Sequence, residues 1–124
     1  MVLAFRQAVE AGDLDAVVAL LRDDVVFHSP VVFSPYRGRD ALRPILAAVM
    51  EVLEDFRYVR EIGAAEAREH ALIFQARVGD KEIEGCDFLR LDEDGAVKEL
   101  MVMVRPLSAT LVLAEKMKAR LTAM

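Results

Sequence analysis

Gly79-Asp80 constrains this chain more than any other pair of residues. It separates "HALIFQARV" from "KEIEGCDFLRL", two segments in which apolar and polar residues alternate with the period of a β-strand. Glycine in the first central position suits a two-residue hairpin, and such a turn fixes which residues stand opposite each other. Val78 then faces Lys81, Arg77 faces Glu82 and Leu72 faces Asp87. Gln75, Arg77, Glu82 and Glu84 share one face of the pair. Leu72, Phe74, Ala76, Ile83 and Gly85 share the other, together with Asp87, Leu89 and Leu91. This register turns a lone carboxylate toward the apolar side.

An ionised carboxylate buried without a partner is very costly, so Asp87 must be protonated, paired or beside water in a cavity. A purely structural acid, bonded to a backbone N–H, a hydroxyl or an arginine, is one outcome. Gly85 points to the other, because a glycine on the same face leaves room in the wall where a bulky strand residue would fill it. If the next turn is "DEDG", Leu100 lies opposite Asp87 and Val102 opposite Gly85.

The remaining segments build around this hairpin. Phe5, Ala8 and Val9 mark one face of a first helix from Val2 to Ala11, and Gly12 suits its end. Asp13 caps a second helix, "LDAVVALLR". Val25 to Phe27 favour strand, while Pro30, Pro35 and Gly38 break the stretch that follows. Asp40 caps "ALRPILAAVMEVLEDF", with Pro44 in its first turn. From Phe56 to Val104 the chain is β in character, and Pro106 or Ser108 opens a last helix running to Met124. The order ααβαββββα predicts one α+β domain over 1–124. A strongly curved antiparallel or mixed sheet wraps around the N-terminal helices, with an additional C-terminal helix.

At 124 residues the chain buries a core without disulfides or metal. Its one cysteine, Cys86, has no spacing suited to a metal site. With a net charge of −5 and dispersed Lys and Arg, it lacks the basic stripe that nucleic-acid binding needs. Charges interrupt every apolar run before membrane-spanning length, and no export leader opens the sequence. No membrane association is expected, and a cytoplasmic location is.

The pieces "AGDLDAVVALLRDDVVFHSP", "YRGRDAL" and "CDFLRLDEDGAVKEL" resemble the SnoaL-like branch of the nuclear transport factor 2 superfamily. The resemblance covers nearly the whole chain in element order and implies the cone-shaped fold shared with ketosteroid isomerase. That superfold hosts enzymes, binders and scaffolds, so the resemblance does not by itself assign a function. In ketosteroid isomerases an inward aspartate, kept neutral by its apolar site, donates a hydrogen bond to the oxyanion. Asp87, ahead of "FLRLDEDG", matches that position. The isomerase's general base corresponds to Ser29 in "FHSP", and its tyrosine donor corresponds to Phe5. Two of three catalytic groups are thus replaced. The polyketide cyclases place an acid or histidine inward on the last strand, where this chain has Leu100, Val102 and Val104. Of the Asp-Arg-Asp set of the epoxide hydrolases, only Asp87 is in place. The fold implies no cofactor.

Several residues complete the candidate site. Tyr58 shares a face with Phe56, and its hydroxyl needs a buried partner, for which Asp87 is suited. His28 is a candidate acid–base group, although alternation from Phe27 turns Ser29 inward and His28 outward. His70, in "REHAL", reads as an exposed turn residue, and Arg37 and Arg39 as solvated rim residues beside Tyr36. The expected catalytic set is Asp87, His28 and Tyr58. The expected ligand-binding set is Phe5, Ser29, Tyr36, Phe74, Gly85, Leu89, Leu100, Val102 and Val104. No cluster of His and carboxylates suggests a metal.

On the outward face Ile73, Cys86 and Met101 line up, with Phe88 and Met103 close by. Such a stripe needs a cover. A second copy, giving a C2 homodimer, is the preferred one, and the C-terminal helix with Leu111, Val112 and Leu121 is the alternative. Three functions stay open: an enzyme using Asp87 as acid or hydrogen-bond donor in isomerisation, dehydration or cyclisation; a non-catalytic binder of an apolar ligand with one polar group; and a dimeric scaffold.

Overall fold

The computed structural model describes residues 2–122. Helices α1 (Val2–Glu10) and α2 (Leu14–Ala19) meet at Gly12-Asp13. There Gly12 takes φ +68° and the Asp13 carboxylate accepts the Ala16 N–H at 3.1 Å. The chain continues through β1 (Leu21–His28), β2 (Tyr36–Arg37), α3 (Arg39–Val52) and β3 (Glu54–Ile62). It then forms β4 (Glu69–Val78), β5 (Lys81–Leu91), β6 (Val97–Arg105) and α4 (Leu107–Thr122). The expected course of α4 through residues 123 and 124 lies outside the described residues. The six strands form one curved, unclosed sheet in the order β2-β1-β6-β5-β4-β3, antiparallel except where β1 lies parallel to β6. No helix among the described residues is long and apolar enough to cross a membrane.

Three local expectations are corrected. Strand β1 starts at Leu21, where the sequence predicts helix, because Leu21, Val25 and Phe27 all bury on the sheet's inner face. Gly38, not Asp40, is the N-cap of α3, since the Leu42 N–H already bonds the Gly38 carbonyl at 3.1 Å. Pro44 therefore falls in the second turn of the helix. Strand β3 starts at Glu54, two residues before Phe56. The two-residue strand β2 was not anticipated.

The β4–β5 hairpin has the expected register, with Val78 opposite Lys81 and Leu72 opposite Asp87 around Gly79 at φ +60°. The β5–β6 hairpin differs by two residues. Asp87 faces Val102, Gly85 faces Val104, and Leu89 faces Leu100. One residue of the difference arises at the turn, where the Asp92 N–H bonds the Ala96 carbonyl. The other is a bulge, with Lys98 unpaired between Val97 opposite Leu91 and Glu99 opposite Arg90. An even shift preserves parity, so Leu100 stays inward while the outer rows regroup. Cys86 lies between Ile73 and Met103, and Phe88 between Ala71 and Met101.

His70 is not an exposed turn residue. Strand β4 has already begun at Glu69, so His70 pairs with Leu89 and turns inward, 4% exposed. Its Nε2 lies 2.8 Å from the Ala67 carbonyl oxygen. Helix α4 does not cover the outer stripe either. It runs against α3, where Arg120 pairs with Glu51 at 2.8 Å, and against the β4–β5 turn, where Val112 and Lys116 lie beside Gly79. Ala109 and Leu113 bury there, while Leu111 stays exposed. Phe88 and Met103 on the outer face remain 41% and 55% exposed.

Candidate functional site

The concave side of the sheet and the helices enclose a cavity of about 460 Å³, within the range of small-molecule sites. Its walls are mostly apolar. The amphipathic face of α3 supplies Ile45, Leu46, Val49 and Met50, and α4 closes over the space with Leu113, Met117 and Leu121. Asp87 lies in the wall contributed by β5, between Leu72 and Val102 on the neighbouring strands.

The Tyr58 hydroxyl donates to Asp87 Oδ2 at 2.5 Å. Tyr58 is 4% exposed and stands behind Asp87, outside the cavity lining itself. It is held by aromatic contacts: Phe56 meets it edge-on at 5.0 Å and stacks on Phe74 at 4.8 Å. Burial pushes the Asp87 carboxyl up to about 6, against the opposing effect of the Tyr58 hydrogen bond, which favours the ionised form. Burial first, and then the neighbouring Asp87, push the Tyr58 phenol far above its ordinary range. Tyr58 is therefore a permanent donor, and Asp87 is the group that titrates.

Of the residues expected to meet a ligand, Phe5, Ser29, Tyr36, Phe74, Leu100, Val102 and Val104 line the cavity with Asp87. Ser29 also accepts the Val31 N–H at 3.0 Å, which fixes the loop at the rim. Gly85 and Leu89 do not line it. The space over Gly85 is filled by the Phe74 ring, so that a Cβ there would stand 2.3 Å from Phe74 Cζ and 2.7 Å from the Met103 carbonyl oxygen. The glycine receives an aromatic side chain and leaves no hollow. Leu89 sits one inward position beyond Asp87, packed in the core at 2% exposure. His28 is excluded from the cavity. Strand alternation turns it to the outer face, where its Nε2 lies 2.9 Å from Glu99 Oε2. Arg39 pairs with Asp23, and Arg37 is exposed.

Sequence reasoning missed the contributions of α3 and α4 and two charged groups in the lining, Glu10 and Lys118. The helical spacing of Ile45, Leu46 and Val49 carried the signal for α3. No group of three or more His, Cys, Asp or Glu among the described residues could hold a metal ion.

A model of the SnoaL-like domain matches residues 2–100. The chain belongs to the SnoaL-like family. Among solved structures, it is similar to a steroid delta-isomerase from Pseudomonas aeruginosa, at 38% identity and TM-score 0.92, over 98% of this chain and 89% of that one. It is equally close in shape, at 33% identity and TM-score 0.92, to an uncharacterised bacterial protein with a cystatin-like fold from Silicibacter pomeroyi, over 98% and 84% of the two chains. SalBIII, an epoxide hydrolase/cyclase-like enzyme of pyran ring formation in salinomycin, shares the fold at 16% identity and TM-score 0.71, over 87% and 89%. No curated protein matches the chain. The fold is thus shared by a steroid isomerase and a cyclase-like enzyme.

Proposed function

We propose that this SnoaL-like domain binds a small apolar molecule bearing one oxygen function. The ligand's oxygen docks on Asp87, which serves as hydrogen-bond and proton donor in an isomerisation, dehydration or cyclisation. The observation that carries this reading is a single buried acid in a mostly apolar cavity wall, where burial pushes its carboxyl up to about 6. Tyr58 occupies Oδ2 as a donor, so the acid's own proton belongs on Oδ1, where a carbonyl or enolate oxygen can accept it. Proton transfer is efficient when the group's pKa lies near the working pH. The likeness to a solved steroid delta-isomerase and the shared fold of a cyclase-like enzyme support the choice of reaction class.

Phe5 and Ser29 favour a second reading, ligand binding without turnover, because the resemblance puts a tyrosine and a general base at those positions. A thermal-shift screen against apolar ketones, lactones and aromatic polyketides, followed by turnover assays, separates the two. A ligand at one hundred times its Kd adds about 2.7 kcal/mol of stability. With a true substrate, Asp87→Asn is expected to abolish turnover while changing affinity modestly. Unchanged turnover would remove Asp87 from the chemistry, and the absence of any stabilising ligand would remove the pocket reading.

We also propose that the outer stripe pairs with a second copy of this chain. Its support is that α4 lies elsewhere, leaving Phe88 and Met103 exposed between rows of opposite charges, Glu84 with Arg105 and Arg90 with Glu99. A two-fold contact between such surfaces is self-complementary. Sedimentation is expected to show a dimer that Met103→Glu dissociates; a monomeric parent chain would refute the pairing.

A further inference from the structure

Tyr58 is the residue whose placement the site depends on, and β3 alone does not secure it. Strand β3 is the last in the sheet, with no strand on its far side among the described residues. Its pairing with β4 is irregular just beyond Tyr58, which faces Phe74, whereas Arg60 faces Ile73 and leaves Val59 as an extra residue. A slip of one residue there would bring Arg57 or Val59 to the inner face and take the phenol away from Asp87.

Helix α1 closes this edge with an ion pair. Arg6 and Glu10 stand one helical turn apart and meet at 3.4 Å. Glu10 Oε2 accepts the backbone N–H of Tyr58 at 3.2 Å, and Arg6 Nη2 donates to the backbone carbonyl of Tyr58 at 3.4 Å. Together they satisfy both main-chain groups of one residue, as a partner strand would. Arg6 also reaches Glu61 at 3.4 Å, beyond the irregularity, and its guanidinium lies 6.0 Å from the centroid of the Tyr58 ring. The grip therefore spans both sides of the bulge.

We propose that Arg6 and Glu10 are positioning residues, which hold Tyr58 by its backbone so that its hydroxyl stays on Asp87. Their relevance to ligand chemistry rests on the reading of Asp87 given above; their hold on Tyr58 does not. The groups facing Asp87 are few. Tyr58 reaches it from β3, Leu72 and Val102 flank it from β4 and β6, and Glu10 and Lys118 are the other charged groups in the cavity lining. Cys86 precedes it on the opposite face of β5.

The test is a double-mutant cycle on the ligand-free protein, read by carbon-13 NMR titration of the Asp87 carboxyl and by hydrogen exchange at the Tyr58 amide. Tyr58→Phe removes the donor and is expected to raise the Asp87 midpoint by about one pH unit. Glu10→Ala is expected to raise it in the same direction, and to speed exchange at the Tyr58 amide by roughly tenfold or more as the edge opens. Glu10→Gln keeps an acceptor oxygen and is expected to restore the parent values for both. In the Tyr58→Phe background, Glu10→Ala is expected to add nothing to the midpoint, because its effect passes through the missing hydroxyl. An unmoved midpoint in Glu10→Ala, a shift that persists in the double variant, or a failure of glutamine to restore the parent values would each overturn the proposal. A chain that passes these tests yet takes up no ligand would refute the pocket reading alone.

Discussion

Two acids on this sheet each have a close partner, and their situations differ completely. Glu99 meets His28 at 2.9 Å on the outer face, with both side chains close to one-third exposed, and Arg90 reaches the same carboxylate at 3.2 Å. Asp87 meets Tyr58 at 2.5 Å on the inner face, 8% exposed and with no cation against it. Outside, water and neighbouring cationic side chains surround the acid. Inside, one neutral donor offsets only part of the desolvation, so the proton is retained far above the usual carboxylate range. The contrast shows that burial, rather than the presence of a partner, gives an acid a function-like character here.

The largest effect should come from the packing that keeps the inner face dry. Gly85→Ala puts a methyl group into the Phe74 ring and against the Met103 carbonyl, both rigidly placed. It is expected to destabilise the fold by about 3 kcal/mol, measurable by urea unfolding. A loss near zero would mean that the wall has slack and the two faces are less distinct than described.

Next comes the pH dependence of stability. The folded chain holds the Asp87 proton to about pH 6, while the unfolded chain releases it near 3.8. Between those values the native state binds more protons, so stability falls as pH rises through the window and levels off above it. At 1.36 kcal/mol for each pKa unit, the fall attributable to Asp87 is roughly 3 kcal/mol. Asp87→Asn is expected to remove this component and to be the more stable form at pH 7.5. An asparagine variant with the same pH profile as the parent chain would contradict the inner-face account.

The smallest effect should be on the outer face. Glu99→Gln is expected to change stability by no more than about 1 kcal/mol, since exposed pairs contribute little, and to leave the Asp87 titration where it was. A shift of the Asp87 midpoint in this variant would show that the two faces communicate.

The inner hairpin was legible because a two-residue turn leaves no freedom: once Gly79-Asp80 is the tip, every pairing back to Asp87 follows. The second hairpin was less so. Its five-residue connection, 92–96, and the bulge at Lys98 depend on backbone bonds such as Asp92 to Ala96, which no residue pattern announces. The Tyr58–Asp87 pair was foreseeable, since both residues were inward and polar. The filling of Gly85 was not, because whether a glycine leaves a hollow depends on the ring across from it. His70 was misread for a related reason: its environment is set by where β4 begins, and the residues before it carry no clear turn signal. The closure by α4 was hidden as well. Of the residues marked for packing, Leu121 reaches the cavity but Leu111 is exposed, and Leu113 and Met117, which also line it, were not marked.

The central claim is that Asp87 is a buried acid held near neutrality. Titrating its side-chain carboxyl carbon by NMR, between about pH 3 and 8, measures this directly. A midpoint close to 6 is the predicted result; one near the 3.8 of an ordinary solvated aspartate would contradict it.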